Sequence, residues 1–352
     1  MTAGWWEAYK GRRVLVTGHT GFKGVWLSAF LTRLGAEVFG ISRRPDSDLF
    51  ERAGSRKNTV YCDIRDGDAV AAAFAECHPD AVFHMAAQAL VRGAYAEPRK
   101  TFEINAQGTV NVLDAIRKTR SVKAAVVVTT DKVYRERGER RAYVETDELG
   151  GHDPYSASKV AAELAVETYR HSYFRTAGPL LASARAGNVI GGGDWAEDRL
   201  VPDVVRAIRD RKDIELRNPN HVRPWQHVLE PVRGYLMLGS RLMAADRTFA
   251  EGWNFGPSGA DAVTVKELLQ RIVDIWGEGT FVIADEHNAP REAPFLNLNS
   301  DKAAARLDWK PVLRLDEALS LTVEWYRGYL ENATQARDLL DRQIDSYLEQ
   351  IV

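Results

Sequence analysis

The chain has 352 residues, 45% of them hydrophobic and 27% charged, with a formal net charge of −2. That length exceeds one small core and calls for a large α/β domain with a smaller appended part, and the hydrophobic fraction fits a well-buried globular protein. The near-balanced charge removes the electrostatic case for nucleic acid or an anionic membrane surface.

The first ten residues carry paired tryptophans and no apolar signal core. No run approaches the ~20 apolar residues of a membrane span. Cys62 and Cys77 are the only cysteines and show neither a disulfide framework nor metal-site spacing. The expectation is a soluble, cytoplasmic protein without a metal.

The first element is a short apolar strand, Val14–Val16, ending at Thr17. A glycine turn, Gly18-x-x-Gly21-x-x-Gly24, and a helix over Phe22–Leu34 follow. Strand, glycine turn and helix place free backbone N–H groups at a helix N-terminus, where a pyrophosphate binds. The competing reading is a turn that uses glycine only for its backbone angles. A second strand, Val38–Ile41, runs into Ser42-Arg43-Arg44. An acid there would bond a ribose 2′-hydroxyl, whereas arginine pairs with a 2′-phosphate. The choice therefore favours NADP over NAD, against two exposed arginines that merely open a loop.

Thr59–Tyr61 reads as the third strand, followed by Cys62-Asp63-Ile64, where Asp63 either holds the adenine or forms a turn. A helix spans Asp68–Cys77. The strand Ala81–Met85 leads into Ala86-Ala87-Gln88, whose small side chains let backbone approach a cofactor or a helix. A helix over Asn105–Lys118 starts with an asparagine suited to tie two strand ends together. Ala124–Thr129 is the next strand and carries Thr130-Asp131-Lys132 at its end. A helix over Tyr155–Tyr173 and a strand over Leu180–Ala186 close the alternation. The fold class this predicts is a Rossmann-type, doubly wound parallel α/β sheet, with ligands beyond the carboxyl ends of its strands.

Beyond Gly187 the elements shorten and mix. Gly191-Gly192-Gly193 and Arg217-Asn218-Pro219-Asn220 are loop signals. A helix over Val228–Leu242 belongs with the first domain. Val263–Trp276, Asp301–Leu307 and a long helical run from Leu315 suit a second lobe. The predicted division is residues 1–188 plus about 226–258 for the dinucleotide domain. About 189–225 and 259–352 form a smaller α/β lobe.

Tyr155 and Lys159 stand at i and i+4, one turn apart on the same helix face. A phenol works as a proton-transfer group near neutral pH only if its anion is stabilised, and a nearby ammonium does that. A lone Tyr-x-x-x-Lys is equally an ordinary helix face. Beside a dinucleotide turn it implies hydride chemistry at a hydroxyl-bearing carbon. The cofactor set so assembled is Gly18, Thr20, Gly21, Phe22, Lys23, Gly24, Arg43, Arg44, Asp63, Ile64, Ala86, Ala87, Gln88, Asn105, Thr129, Tyr155 and Lys159.

These motifs resemble the extended short-chain dehydrogenase/reductases that act on nucleotide sugars. Five longer stretches are similar to the CDP-glucose 4,6-dehydratase branch. They are Gly18-His-Thr-Gly-Phe-Lys-Gly24, His84-Met-Ala-Ala-Gln88, Gly150-Gly-His-Asp-Pro-Tyr-Ser156, Arg185-Ala-Gly-Asn-Val-Ile-Gly-Gly-Gly-Asp-Trp195 and Arg223-Pro-Trp-Gln-His227. The resemblance runs from about residue 11 to about residue 327. It implies that C4 of CDP-glucose is oxidised while Tyr155 takes the hydroxyl proton. Water then leaves across C5–C6, and the hydride returns to C6. Thr130 would bond the C4 oxygen, Asp131 would protonate the departing hydroxyl, and Lys132 would stand where related enzymes place a glutamate base. A lysine base must be deprotonated, which burial or a neighbour such as Lys159 or Arg92 favours.

The resemblance also implies a diphosphate held in the second lobe by Asn188 and Arg223. Arg92, Trp195, Asp198 and Arg199 would line the same crevice, Trp225 would stack on a ring or fill the core, and Gln226 and His227 would bridge the lobes. Family members of this type pair two helices across a homodimer. Two features depart from the pattern: the charged loop 135–141 lacks tryptophan, and Arg43-Arg44 resembles the arginine pair of NADP-dependent GDP-mannose dehydratases. A CDP-sugar reductase or epimerase, and a non-catalytic nucleotide sensor, remain as other readings; a sensor has no use for Thr130, Asp131, Tyr155 and Lys159 together.

Overall fold

The computed structural model describes residues 4–44, 48–284 and 293–351. Its first half alternates strand and helix: β1 (Arg13–Thr17), α1 (Phe22–Arg33), β2 (Glu37–Ser42), α2 (Asp48–Ala53), β3 (Thr59–Tyr61), α3 (Gly67–Cys77), β4 (Ala81–His84), α4 (Val91–Ala96), α5 (Pro98–Phe102), α6 (Gly108–Lys118), β5 (Ala124–Val128), α7 (Pro154–Ser172) and β6 (Leu180–Ala186). The second half is more mixed: β7 (Val189–Ile190), α8 (Leu200–Arg209), β8 (Ile214–Leu216), β9 (Val222–Pro224), β10 (Gln226–His227), α9 (Leu229–Met243), β11 (Gly252–Phe255), β12 (Ala262–Thr264), α10 (Val265–Trp276), β13 (Phe281–Ile283), α11 (Asp301–Leu307), α12 (Leu315–Glu331) and α13 (Ala336–Ile351).

Seven strands form one parallel sheet in the order β11-β6-β5-β4-β1-β2-β3. Strands buried on both faces need apolar side chains throughout, and β5, Ala-Ala-Val-Val-Val, is buried at every position. Alternate residues divide between two cores. Val14, Val16, Phe83 and Val126 face one, while Leu15, Val82, Ala125 and Val127 face the other. The winding reverses between β1 and β4, whose register sets Thr17 beside His84. That reversal opens the crevice in which such sheets bind ligands.

The sequence expectation of six strands is met, with ends moved by one or two residues. The seventh, β11, lacked a signal because Gly-Trp-Asn-Phe is short and mixed in polarity. Helices α2, α4, α5 and α8 were also unsignalled, the first three because they run for only five or six residues. The expected helix over Asn105–Lys118 begins instead with a π-helical turn, Glu103–Gln107.

Three short strand pairs, β10–β7, β12–β9 and β13–β8, build the second lobe. The helical run from Leu315 breaks at Asn332, an extended residue that ends α12. Helix α13, grouped with the lobe by sequence, turns back onto the sheet domain. Arg33 on α1 bonds Asp345 at 2.8 Å, Phe30 meets Tyr347 edge-on, and Arg337 donates to the Ala53 carbonyl. Among the described residues no helix is long and apolar enough to cross a membrane.

Candidate active site

The glycine turn is shaped by contact with other backbone. Gly18 lies at φ +73, and a Cβ there would come within 2.8 Å of the Ala86 backbone. A Cβ on Gly24 would fall 2.1 Å from the Gly18 carbonyl oxygen. Gly21 is different: its Cβ would meet only the Gly18 carbonyl, at 3.4 Å. The space beyond Gly21 is the cleft itself. Helix α1 starts there without a side-chain cap, leaving its first-turn N–H groups for a ligand.

A cleft of about 460 Å³ runs from this turn along the carboxyl edge of the sheet. It is lined by Gly18, Thr20, Gly21, Phe22, Lys23 and Gly24, then Arg43, Asp63, Ile64, Ala86, Ala87 and Gln88, and finally Thr129, Tyr155 and Lys159. The structure so gathers all but two of the expected cofactor residues. Arg44 is exposed and does not line the cleft. Asn105 sits behind the wall, where its side chain accepts from Gln88 N (2.8 Å) and donates to the Gln88 carbonyl (2.9 Å) and Ser158 Oγ (2.9 Å). It ties the segment after β4 to helix α7 and not, as expected, two strand ends to each other. Asp63 lines the cleft with its carboxylate engaged by Arg65 through the backbone N–H (2.9 Å) and guanidinium (2.8 Å). Those bonds belong to a turn, the plainer of its two readings.

A second cleft, about 290 Å³, opens between the sheet edge and the lobe. The two meet where Lys23, Ala89, Thr129, Tyr155 and Arg199 line both. Asp153 caps α7 by accepting from Ser156 N, and Pro154 fills the first helical position. This start sets Tyr155 in the first turn, at the junction. Burial pushes the Tyr155 phenol up to about 12, against a hydrogen bond with Thr130 that lowers it. Lys159 donates to the Val128 carbonyl at 3.2 Å, and burial brings its ammonium down to about 8. Lys23 is likewise lowered to about 8 by burial and then by the Arg199 charge.

The turn after β5 carries Thr130, Asp131 and Lys132 into the second cleft. Thr130 donates to Asp131 Oδ1 at 3.0 Å. The other carboxyl oxygen, Oδ2, is buried with no hydrogen-bond partner among the described residues. Burial raises the Asp131 carboxyl, opposed by the charges of Lys132, Arg223 and Lys23 and by the Thr130 bond. The product is a carboxyl biased toward its protonated form, its unpartnered oxygen in a ligand cleft.

Of the expected substrate residues, Arg92, Asn188, Arg199 and Arg223 line this cleft. Two do not. Trp195 packs against Tyr326 and Tyr329, at 5.1 and 5.4 Å between ring centroids. His227 is fully buried edge-on to Trp26, and burial lowers its imidazole to about 3. Trp195 is half-buried in that ring cluster, and His227 lies in the interior, because β10 pairs with β7 and turns it away from the cleft. Sequence reasoning passed over Arg217, read only as a loop signal. Its guanidinium spans Asp198 (2.7 Å) and Asp203 (2.9 Å) in the cleft wall. Asp198 also pairs with Arg92 at 3.7 Å from the opposite side. Nothing in the spacing links residue 217 with 198 and 203. No group of three or more metal-ligating side chains comes together among the described residues.

Comparison with known proteins agrees with this geometry. Residues 15–322 match the family described as GDP-mannose 4,6 dehydratase. The chain is 43% identical over 352 residues to the CDP-glucose 4,6-dehydratase of Salmonella typhimurium, covering 97% of each protein. Among solved structures it resembles epimerase Mth375 of Methanothermobacter thermautotrophicus, with TM-score 0.82 and 25% identity over 95% of this chain and 96% of that one. It also resembles the dTDP-glucose 4,6-dehydratase of Streptomyces venezuelae solved with NAD and TYD bound, with TM-score 0.75 and 25% identity over 93% of this chain and 99% of that one.

The state of Asp131 yields a stability prediction. A carboxyl whose folded pKa lies above its unfolded value makes the native state lose stability as pH rises through that interval. Asp131→Asn keeps the shape and removes the ionisation. The variant should melt at a higher temperature than the parent at pH 8, and the gap should shrink as the pH falls toward 4. Calorimetric melts across that range check it; a parent that melts higher at pH 8 contradicts the assignment.

Proposed function

The chain belongs to the nucleotide-sugar 4,6-dehydratase family, and on that footing we propose that it converts CDP-glucose to CDP-4-keto-6-deoxyglucose with a recycled nicotinamide cofactor. The observation that carries this reading is the junction of the two clefts. A proton-transfer group, Tyr155, stands between a dinucleotide turn and a protonation-biased Asp131. The 43% identity to a CDP-glucose 4,6-dehydratase supports the nucleotide and sugar. A reductase or an epimerase needs no such acid.

Gly21 and the start of α1 would hold the pyrophosphate, with Lys23 adding charge. When bound, the nicotinamide supplies a reversible hydride acceptor. The Tyr155 oxygen takes the C4 hydroxyl proton while Thr130 bonds the same oxygen, and the Lys159 charge stabilises the phenolate that assists. A ketone at C4 acidifies C5–H. Lys132 receives that proton, and Asp131 delivers its own from Oδ2 to the C6 hydroxyl, which leaves as water; the C5–C6 double bond so formed would take back the hydride at C6 and the proton from Lys132 at C5. Arg223 and Asn188 would anchor the diphosphate on the lobe side.

Turnover of CDP-glucose to a 4-keto product two hydrogens and one oxygen lighter, read by mass spectrometry, tests the reaction. A C4 epimer of unchanged mass would favour an epimerase. Tyr155→Phe should lower turnover about 10²–10⁴-fold with cofactor still bound. Lys132→Ala should slow C5 exchange in deuterated water and spare C4 oxidation. Parent-like turnover in the first variant, or unchanged exchange in the second, removes the corresponding role.

We also propose that NADP binds ahead of NAD. Arg43 lines the cofactor cleft at the end of β2 and is close enough to lower the Asp63 carboxyl, after the larger effect of Arg65. Arg43→Ala with Arg44→Ala should weaken NADP by about one to two decades and leave NAD nearly unchanged. Titration calorimetry of cofactor-stripped protein decides it; NAD binding more tightly to the parent ends the proposal.

A C₂ homodimer through α7 completes the reading. Leu164 on α7 is 53% exposed, and Tyr95 and Phe102 on the neighbouring α4 and α5 are 43% and 40% exposed. Together they make an apolar face beside the site. Light scattering at micromolar concentration should give twice the chain mass, and Leu164→Glu should halve it. A monomeric parent contradicts the proposal.

A further inference from the structure

Tyr155, Lys159 and Glu163 follow one another at steps of four along α7. Glu163 has no place in the chemistry described above, yet it is 3% exposed and heavily bonded. Its carboxylate accepts from Thr129 Oγ1 (2.5 Å), Ser183 Oγ (2.7 Å) and both Nε and Nη2 of Arg185 (2.9 Å each). Arg185 passes the chain on to the Tyr134 hydroxyl at 2.8 Å, which donates to Asn254 at 2.6 Å. One buried carboxylate so joins α7, β5, β6 and β11 directly behind the turn that bears Thr130, Asp131 and Lys132.

Burying an ion pair is costly, and an apolar replacement of similar volume is often as stable. Packing alone gives no reason for this one. Thr129 does: it is bonded to Glu163 and lines both clefts. Lys159 gives a second reason, since it is buried one helical turn from Glu163. We propose that Glu163 is the positioning residue of this site: through Thr129 it fixes the catalytic turn, and its charge, one helical turn along α7, favours the ammonium form of Lys159. The inference rests on the role given to Lys159 under the proposed function.

The charges around the pair set the expected pH behaviour. Lys159 is faced by Glu163 on its own helix, by Lys23 from α1 and by His84 from β4. His84 is held neutral, lowered to about 3 by burial. Glu163 is faced by Arg185 from β6 and by Arg170 on α7. Burial lowers Lys159 to about 8, and Glu163 alone opposes that fall. Loss of the Glu163 charge lowers it further, so an ammonium-dependent function disappears at lower pH as pH rises. Lys23 also titrates near 8, but its charge neighbours are Arg199, Asp131, Lys159 and Asp194 and not Glu163.

Glu163→Gln in the full-length protein tests this by two readouts. One is the pH dependence of nicotinamide cofactor affinity by calorimetry, which needs no sugar. The other is kcat and KM for CDP-glucose. The alkaline limb of both profiles should move down by roughly one pH unit, and kcat should fall about tenfold or more with KM within twofold. Glu163→Asp keeps the charge with a shorter reach. It should return the limb to the parent position while kcat stays low, and it serves as the second variant if Glu163→Gln does not fold. Unmoved limbs with parent-like kcat in Glu163→Gln overturn the inference, as does a downshifted limb in Glu163→Asp. If the parent does not turn over CDP-glucose but the affinity limb moves, the proposed reaction fails and the positioning role stands.

Discussion

Burial of ionisable groups at the carboxyl edge of the sheet is the constraint on which this site depends. Tyr155, Lys159, Asp131 and Lys23 all shift from their ordinary values, and desolvation is the largest cause in each. The directions follow one rule: an environment poor in water favours the neutral form. An acid becomes harder to ionise and a base easier to neutralise. A carboxyl raised by burial suits a site that must give a proton to a leaving group, and an ammonium lowered to about 8, as in Lys159, still carries its charge near neutral pH. The fold supplies this by closing the lobe over the sheet edge.

The same burial explains the surrounding hydrogen bonds. A charge away from water needs partners to stay charged. Glu163 has four donors and remains below its ordinary value despite burial, because Arg185, Thr129 and Ser183 outweigh the desolvation. Asp131 has one bond at Oδ1 and none at Oδ2, and it goes the other way. Two buried carboxyls, one on α7 and one on the turn after β5, so shift in opposite directions according to their bonding. One is held as an anion, the other shifted toward its neutral form.

Much of this was legible in the sequence because the dinucleotide half obeys local rules. Residues that form the glycine turn and the ends of β2, β3 and β4 lie within a few positions of a strand end, and the sheet brings strand ends together. Asn105, expected in the cofactor set, stands instead behind the cleft wall, where it joins Gln88 to α7. The lobe side was less legible. Trp195 and His227 lie in long motifs, but the pairing of β10 with β7 and the ring cluster with Tyr326 and Tyr329 turn them inward. Whether a motif residue faces a ligand or the core depends on strand register set by distant residues. Arg217 shows the converse. A turn-like Arg-Asn-Pro-Asn became a clamped cation because Asp198 and Asp203, on another segment, converge on it.

That clamp bears on how the cleft receives a charged ligand. Asp198 adopts a left-handed backbone, φ 61, which costs a non-glycine residue of order 1 kcal/mol. Its carboxylate stands between Arg217 of the lobe and Arg92 of the sheet domain. Arginines lining a cleft repel one another and, unsupported, would spread into solvent. A carboxylate between them keeps the fork of each in a set direction, so less side-chain freedom is lost when an anionic ligand arrives. The arrangement also limits affinity, since an incoming diphosphate competes with a resident anion. For an enzyme that must release a product carrying the same diphosphate as its substrate, moderate grip on that shared group is the useful compromise: binding energy common to both states lowers KM without raising kcat. Discrimination is then left to the junction of the two clefts, where Tyr155 lines both and Thr130 and Asp131 line the second.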